Sequence, residues 1–181
     1  LNQRPDWVFN VETRAPDGTA RTLHIPSTSY AKIRELLGDE AIANNRQTVD
    51  RLSNGRIGYL NIEAMNLQSL RQFEHDVYAT TFDRDGLIID VRNNSGGVIS
   101  DYLLAILCHP QHAYTIPRDG RVSYPNGYLG KAVYNKPLVV LCNQNSCSNA
   151  EIFSHAIKTL KRGKLVGTPT NACVISRPDV Q

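Results

Sequence analysis

Two apolar segments, each followed at once by a polar turn and then by a helical pattern, constrain the fold of this chain most strongly. Residues 137–141 lead into a turn at 143–148, and residues 87–91 lead into a turn at 92–97. Strands that alternate with helices are typical of an α/β domain with a mainly parallel sheet. The sequence therefore predicts that fold class.

Helices between the strands are predicted from apolar residues spaced three and four apart. The residues with this spacing are Leu67, Leu70, Phe73 and Val77; Ile99, Tyr102, Leu103, Ile106 and Leu107; and Ile152, Phe153, Ala156, Ile157 and Leu160. The other predicted elements are strands at 56–62, 164–167 and 173–176, helices at 98–108 and 149–161, and a long surface loop at 116–135.

The N-terminal part of the chain has a different pattern. Strand-like segments at 7–13 and 20–26 flank Pro16-Asp17-Gly18, which is typical of the turn of a β-hairpin. A short helix at 30–37 and a linker through residues 44–46 are predicted to follow. We place the main domain boundary in that linker.

The composition excludes two classes of partner. The 181 residues carry a net charge of +3 with scattered Lys and Arg, so no nucleic-acid surface is indicated. No apolar run reaches the roughly 18 residues that a membrane span needs. Because the chain begins at Leu1 and not at Met, we expect it to be a piece of a longer protein.

The four cysteines lack the spacing of a metal site, and no metal is predicted. They are Cys108, Cys142, Cys147 and Cys173. We interpret them as buried free thiols, because Cys is among the most buried residue types. A disulfide is an alternative that sequence alone does not assign.

Ser148 lies at a strand-to-helix junction, where two roles fit it. Ser148 and Glu151 have the spacing of a capping box, in which the serine accepts from the Glu151 amide and Glu151 reaches back. A serine at such a junction also has an exposed hydroxyl beside the first helix amide, as a nucleophile and half of an oxyanion hole require. The two roles are compatible.

The pair Gly96 and Gly97 also has two interpretations. Two glycines after a strand can form a simple tight turn. They can also let substrate backbone approach and direct an amide toward it, which would complete an oxyanion hole. Asp90 and Arg92, just before them, are predicted to pair or to cap structure and not to do chemistry.

No general base for Ser148 is visible. His155 lies seven residues along the same predicted helix, roughly 10 Å along its axis, and is too far away to take the serine proton. The remaining histidines are not placed near Ser148 by local spacing.

Taken together, these segments resemble the tail-specific, or C-terminal-processing, serine peptidase family and, within it, the tricorn protease branch. The matching segments are 54–60, 86–97, 146–156 and 164–170. The resemblance implies a crotonase- or ClpP-like ββα core at 44–181 that is incomplete at its C-terminal end. It also implies that residues 1–43 are the end of a PDZ-like domain and a linker.

The resemblance further implies a serine endopeptidase that cleaves peptides or unfolded polypeptides through an acyl-enzyme on Ser148. The amides of Gly97 and Asn149 would form the oxyanion hole, and Gly96 and Thr115 would contact the substrate. No metal or cofactor is expected. A homo-oligomer would be compatible with this reading. Free cysteines slightly favour the cytoplasm, and the periplasm or export are the alternatives, because family members also occur outside the cytosol.

Two departures from the family pattern concern the base and the specificity. Serine–lysine processing peptidases carry a Lys 25 residues after the nucleophile, where this chain has Cys173, and Lys164 is too early to replace it. Tricorn-type enzymes use a His from a preceding domain, which would lie outside this chain. Thr115 takes the position of an acidic residue that favours basic substrates, so no preference for Lys or Arg is expected.

An alternative function follows from the missing base. The chain would then be a non-catalytic ligand- or peptide-binding module on the same fold, similar to the retinoid-binding relatives of this family. A subunit that completes the site of another chain is a further alternative.

Overall fold

The computed structural model describes residues 7–110, 113–120, 122 and 133–174. The chain divides into two compact units, Leu1–Asn44 and Asn45–Gln181.

The first unit contains the predicted hairpin. β1 (Val8–Arg14) and β2 (Ala20–Pro26) pair antiparallel. Gly18 has a φ of 85° in the turn between them, and its amide donates to the Ala15 carbonyl at 2.9 Å. The hairpin is confirmed, whereas its assignment to a PDZ-like domain stays a prediction.

The helix after the hairpin is much longer than predicted. α1 (Tyr30–Ser53) contains 24 residues, so the predictions of a short helix at 30–37 and a linker at 44–46 are wrong. Residues 39–53 contain neither Gly nor Pro, and nothing in them stops a helix. No residue of α1 is buried, so the helix has no apolar stripe for a periodicity argument to detect.

The second unit is built on one parallel sheet of four strands in the order β3-β4-β5-β6. Its elements are β3 (Ile57–Asn61), α2 (Leu67–Thr81), β4 (Gly86–Asp90), α3 (Ser100–Leu107), β5 (Leu138–Cys142), α4 (Asn149–Thr159) and β6 (Lys164–Gly167). The predicted α/β class with a mainly parallel sheet is confirmed.

The carboxyl ends of these strands meet at one edge of the sheet, because all four run in the same direction. Asn61 pairs with Asp90, and Cys142 pairs with Gly167. In open α/β sheets, ligands bind outside this edge. The turns that carry the predicted site residues leave the sheet there.

The core follows the predicted apolar spacing, with exceptions. The predicted residues that are buried are Leu70, Phe73, Val77, Ile99, Leu103, Ile106, Leu107, Phe153 and Ile157. Leu67, Tyr102, Ile152 and Leu160 are 40–59 % exposed, so their placement on the buried faces is wrong. Leu67 and Leu160 stand at helix ends. Tyr102 and Ile152 each precede a fully buried residue, and one residue is about 100° around a helix.

The loop predicted at 116–135 lies partly outside the described residues. Its last part is not a surface loop, because Tyr134 is only 5 % exposed and its amide donates to the Ile106 carbonyl at 3.0 Å. The Arg162 guanidinium lies 5.7 Å from the centre of the Tyr134 ring and donates to the Tyr134 carbonyl at 2.8 Å. The end of this connection is therefore anchored to the core.

Two remaining predictions concern the C-terminal segment and the membrane. The strand predicted at 173–176 is absent at 173–174, and its other residues lie outside the described part. Among the described residues, no helix has the length and apolar character to cross a bilayer.

Candidate active site

Ser148 has a backbone conformation that is rare for a residue with a side chain. It is the N-cap of α4, with φ 53° and ψ −118°. A non-glycine residue at positive φ is strained and persists only where its surroundings hold it. A strained strand-to-helix turn is also how α/β-hydrolases expose a nucleophilic serine.

Ser146 holds this turn against the end of β4. Its buried hydroxyl donates to the Val91 carbonyl at 2.8 Å and accepts from the Asn143 amide at 3.0 Å. Sequence reasoning missed this role, because Val91 is 55 residues away and no local spacing marks the contact.

Asn94 links the turns that follow β3, β4 and β5. Its fully buried side chain donates to the Ile62 carbonyl at 2.6 Å and accepts from the Gly96 amide at 2.8 Å. Its main-chain carbonyl accepts from the Cys147 amide at 2.9 Å. Sequence reasoning assigned it no role, although an Asn two residues before Gly is a signal for such a turn.

The diglycine turn touches the Ser148 turn. A Cβ atom built on Gly96 would lie 2.7 Å from the Ser148 Cβ and 3.1 Å from the Asn149 nitrogen. On the other side, the Met65 amide donates to the Gly96 carbonyl at 2.9 Å. Ser148, Asn149 and the diglycine therefore lie together, and their chemical roles remain predictions.

The Asn149 side chain joins the starts of α3 and α4. Its Oδ1 accepts from the Ser100 amide at 2.8 Å, and its Nδ2 donates to the Ser100 hydroxyl at 2.9 Å. Asn149 is only 9 % exposed. This contact fixes the first residue of α4, whose amide was predicted to serve the oxyanion hole.

Glu151 ties the Ser148 turn to the segment after β6. The capping box with Ser148 is present, and the Ser148 amide donates to Glu151 Oε2 at 2.7 Å. Oε2 also accepts from the Cys173 amide at 3.0 Å. Oε1 accepts from the Thr170 hydroxyl and the Ala172 amide, both at 2.8 Å. The carboxylate thus accepts four hydrogen bonds.

These bonds also set the charge of Glu151. Burial by itself raises the pKa of the carboxyl, but the hydrogen bonds from Thr170, Cys173, Ser148 and Ala172 together outweigh it and hold the pKa below its ordinary value. Glu151 is therefore ionised at neutral pH.

Acid should weaken this contact. A carboxylate with a lowered folded pKa contributes stability that is fully present above the unfolded pKa, about 4.3, and is lost as pH falls through the folded pKa. We expect the difference in Tm between the wild type and Glu151→Gln to stay constant from neutral pH to about pH 5 and to shrink below about pH 4. Thermal unfolding in a pH series measures it. A difference as large at pH 3 as at pH 7 would contradict the assignment.

The cysteines differ from the prediction of four buried free thiols. Cys147 and Cys173 form a disulfide, with their Cα atoms 5.6 Å apart. For these two the free-thiol interpretation is wrong, because the 25 residues between them return the chain to the same turn. Cys142 is free and buried, and Cys108 is free and half-buried. Burial raises the pKa of both free thiols.

Cys147, Glu151 and Cys173 form the one group of potential metal ligands in the described part of the chain. A ligand atom each from Cys147, Glu151 and Cys173 lies within 4.8 Å of the other two. The two sulfurs are bonded to each other, and both carboxylate oxygens accept hydrogen bonds. In this state the group offers no free ligand set.

Asp90 and Arg92 pair, as predicted. The Asp90 carboxylate accepts from Arg92 Nη2 at 2.6 Å and from the Tyr59 hydroxyl at 2.7 Å. Asp90 is 2 % exposed. Burial, and then the bond to Asp90, raises the pKa of Tyr59 to about 12. The cluster fixes the end of β4 ahead of the diglycine turn.

Two other residues considered for the site lie apart from these contacts. His155 is exposed and bonds to Thr159 at 3.2 Å on its own helix, which agrees with its rejection as a base. Thr115 is half-buried, and among the described residues no hydrogen bond joins it to the Ser148 turn. Its role toward substrate stays a prediction.

Comparison with known proteins gives a consistent result. Residues 56–176 match peptidase family S41. The chain is 35 % identical over 130 residues to the tricorn protease of Thermoplasma volcanium, covering 71 % of this chain and 12 % of that protein. It is 29 % identical over 168 residues to the carboxyl-terminal-processing protease of Synechocystis sp., covering 87 % of this chain and 38 % of that protein.

The fold agrees with these relatives. The crystal structure of the tricorn protease superposes with a TM-score of 0.72 at 29 % identity, covering 95 % of this chain and 16 % of that one. The chain thus spans a small part of the length of its tricorn relatives. Because the family match extends over most of the chain, this protein belongs to peptidase family S41.

Proposed function

We propose that this protein is a serine peptidase of tricorn type that cleaves peptides or unfolded polypeptides through an acyl-enzyme on Ser148. The observation that carries the proposal is the strained Ser148 at the start of α4, in contact with the diglycine turn. A half-buried serine beside a helix N-terminus, with two glycines of a second turn next to it, suits acyl transfer. The family and the tricorn relatives support the same activity.

In this mechanism the Ser148 hydroxyl attacks the substrate carbonyl and gives its proton to a general base. The amides of Gly97 and Asn149 would stabilise the oxyanion, and the positive end of the α4 dipole would add to their effect. The base returns this proton to the leaving amine as the carbon–nitrogen bond breaks, and water then attacks the acyl-enzyme and releases the acyl group from Ser148. Gly96 lets the diglycine turn pack against Ser148, because a side chain there would collide with the serine. Its contact with the substrate backbone rests on the resemblance.

The general base is not assigned among the described residues. His155 bonds to Thr159, and Cys173, at the position of the lysine in serine–lysine peptidases, is bonded to Cys147. The proposal therefore requires a base from residues other than these. A PDZ-like identity for residues 1–43, a substrate contact at Thr115 and assembly into a homo-oligomer are parts of the proposal that rest on the resemblance.

A fluorophosphonate probe tests the nucleophile on the full-length protein. We expect covalent labelling at Ser148, located by mass spectrometry, and loss of the label in Ser148→Ala. Ser95→Ala is the matched control, because Ser95 is an exposed hydroxyl in the adjacent turn, and it should retain the label. Labelling that survives in Ser148→Ala would exclude this serine as the nucleophile.

A further inference from the structure

We propose that Cys147 and Cys173 form a reversible redox site that controls the nucleophile turn. Cys147 directly precedes Ser148, and Cys173 lies in the segment after β6. The disulfide is a covalent bond between these two parts of the chain. Its state therefore bears directly on the residue before the strained serine.

The segment that the disulfide holds is in contact with the turn at several points. The amides of Ala172 and Cys173 donate to the Glu151 carboxylate, and the Asn171 amide donates to the Ser146 carbonyl at 3.2 Å. Ala172 has a φ of 58°, so this segment is also strained. Two strained residues thus lie on either side of one disulfide, which restrains both.

The disulfide is accessible to a reductant. Cys147 and Cys173 are both half-buried, whereas the free thiol of Cys142 is buried. Because both cysteine residues are partly exposed, a small dithiol can reach the bond between them.

The reaction is an exchange with a dithiol of the thioredoxin class or with dithiothreitol. A thiolate of the dithiol attacks Cys173 Sγ, the sulfur–sulfur bond breaks, and the Cys147 sulfur leaves and takes up a proton. The second thiolate of the dithiol attacks the mixed disulfide and releases Cys173, which is also protonated. Two electrons and two protons pass to the protein, and the dithiol becomes a disulfide.

Reduction should loosen the Ser148 turn. Without the bond, the segment from Thr170 to Cys173 is held by hydrogen bonds alone, and the restraint on Cys147 is lost. The oxidised state is then the competent one. This effect on Ser148 rests on the proposed function, whereas the redox reaction of the two cysteines does not.

Two readouts on the full-length protein test the proposal separately. Alkylation followed by mass spectrometry reports the cysteines, and the fluorophosphonate labelling rate reports Ser148. We expect Cys147 and Cys173 to be alkylated only after treatment with dithiothreitol, and labelling of Ser148 to slow about tenfold in the reduced protein, because small misplacements of a reacting group are costly. Glutathione disulfide should restore both.

Variants separate this site from general effects of the reductant. Cys173→Ser should label at the slow rate with or without dithiothreitol, and Cys108→Ser should keep the full redox response. Alkylation of both cysteines without reductant, or equal labelling rates in the two verified states, would overturn the proposal. If Ser148 is labelled in neither state, the proposed function and its coupling to the cysteines fail, and reductant-dependent alkylation alone decides whether the redox site stands.

Discussion

Gly97→Ala is expected to destabilise the second unit by about 3 kcal/mol or more and to abolish fluorophosphonate labelling of Ser148. Gly97 has a φ of 145°, which side chains rarely permit. A Cβ there would lie 2.1 Å from the Met65 carbonyl oxygen. That oxygen is a main-chain atom, and it accepts a hydrogen bond from the Val98 amide at 2.7 Å. Rotating a side chain therefore does not relieve the collision.

Gly120→Ala is the matched control for Gly97→Ala. Gly120 also has a positive φ, 77°, but a Cβ there would meet nothing within 4 Å. Gly120→Ala should lower the free energy of unfolding by the backbone strain alone, about 1 kcal/mol, and leave the labelling of Ser148 unchanged. Chemical denaturation of both variants measures the difference. Equal destabilisation would show that Met65 yields to the added methyl group, and retained labelling would separate the diglycine turn from the site.

The elements of the second unit were predictable because the residues on a buried helix face are apolar and recur at a regular spacing in the sequence. Leu70, Phe73 and Val77 are spaced for one helix face, and all three are buried. α1 has no buried residue, so burial imposes no such spacing on its sequence. Its continuation past Gly38 follows from the absence of Gly and Pro at residues 39–53, which a search for apolar stripes does not weigh.

The centre of the site was predictable for a different reason. Ser148 and Glu151 interact across three residues, so their capping box is visible as local spacing. The bonds that hold the turn in place join distant parts of the chain. Ser146 bonds to Val91 across 55 residues, and Glu151 bonds to Ala172 across 21. No local pattern specifies such pairs. For the same reason, the sequence alone does not decide whether Cys147 forms a disulfide.

Glu151→Ala should have the second large effect, a loss of about 3–5 kcal/mol in the free energy of unfolding together with a fall of about 100-fold in the rate of Ser148 labelling. Glu151 is 7 % exposed, and its removal leaves three main-chain amides and the Thr170 hydroxyl without their acceptor. The four hydrogen bonds are partly buried, so water recovers part of the loss, but hydrogen bonds to a charged acceptor are worth about 1.5–3 kcal/mol each. The positive φ of Ser148 also loses one of the contacts that holds it.

Glu151→Gln should fall between the wild type and Glu151→Ala. A glutamine has one carbonyl oxygen, which can still accept hydrogen bonds from the Ser148 and Cys173 amides. The NH₂ group of the glutamine would donate to the Thr170 hydroxyl. The Ala172 amide then faces a donor and loses its bond. We therefore expect Glu151→Gln to weaken stability by about half as much as Glu151→Ala and to retain much more of the labelling.

Glu74→Ala controls for the loss of a helical glutamate, because Glu74 is exposed on α2. It should change stability by no more than about 0.5 kcal/mol. Denaturation and labelling of the three variants give an order as well as magnitudes. If Glu151→Gln labels as slowly as Glu151→Ala, the charge of the carboxylate and not its geometry supports Ser148. If Glu151→Ala behaves like Glu74→Ala, the hydrogen bonds of Glu151 contribute nothing to the turn, and the strain at Ser148 must be held by Ser146, Asn94 and the disulfide.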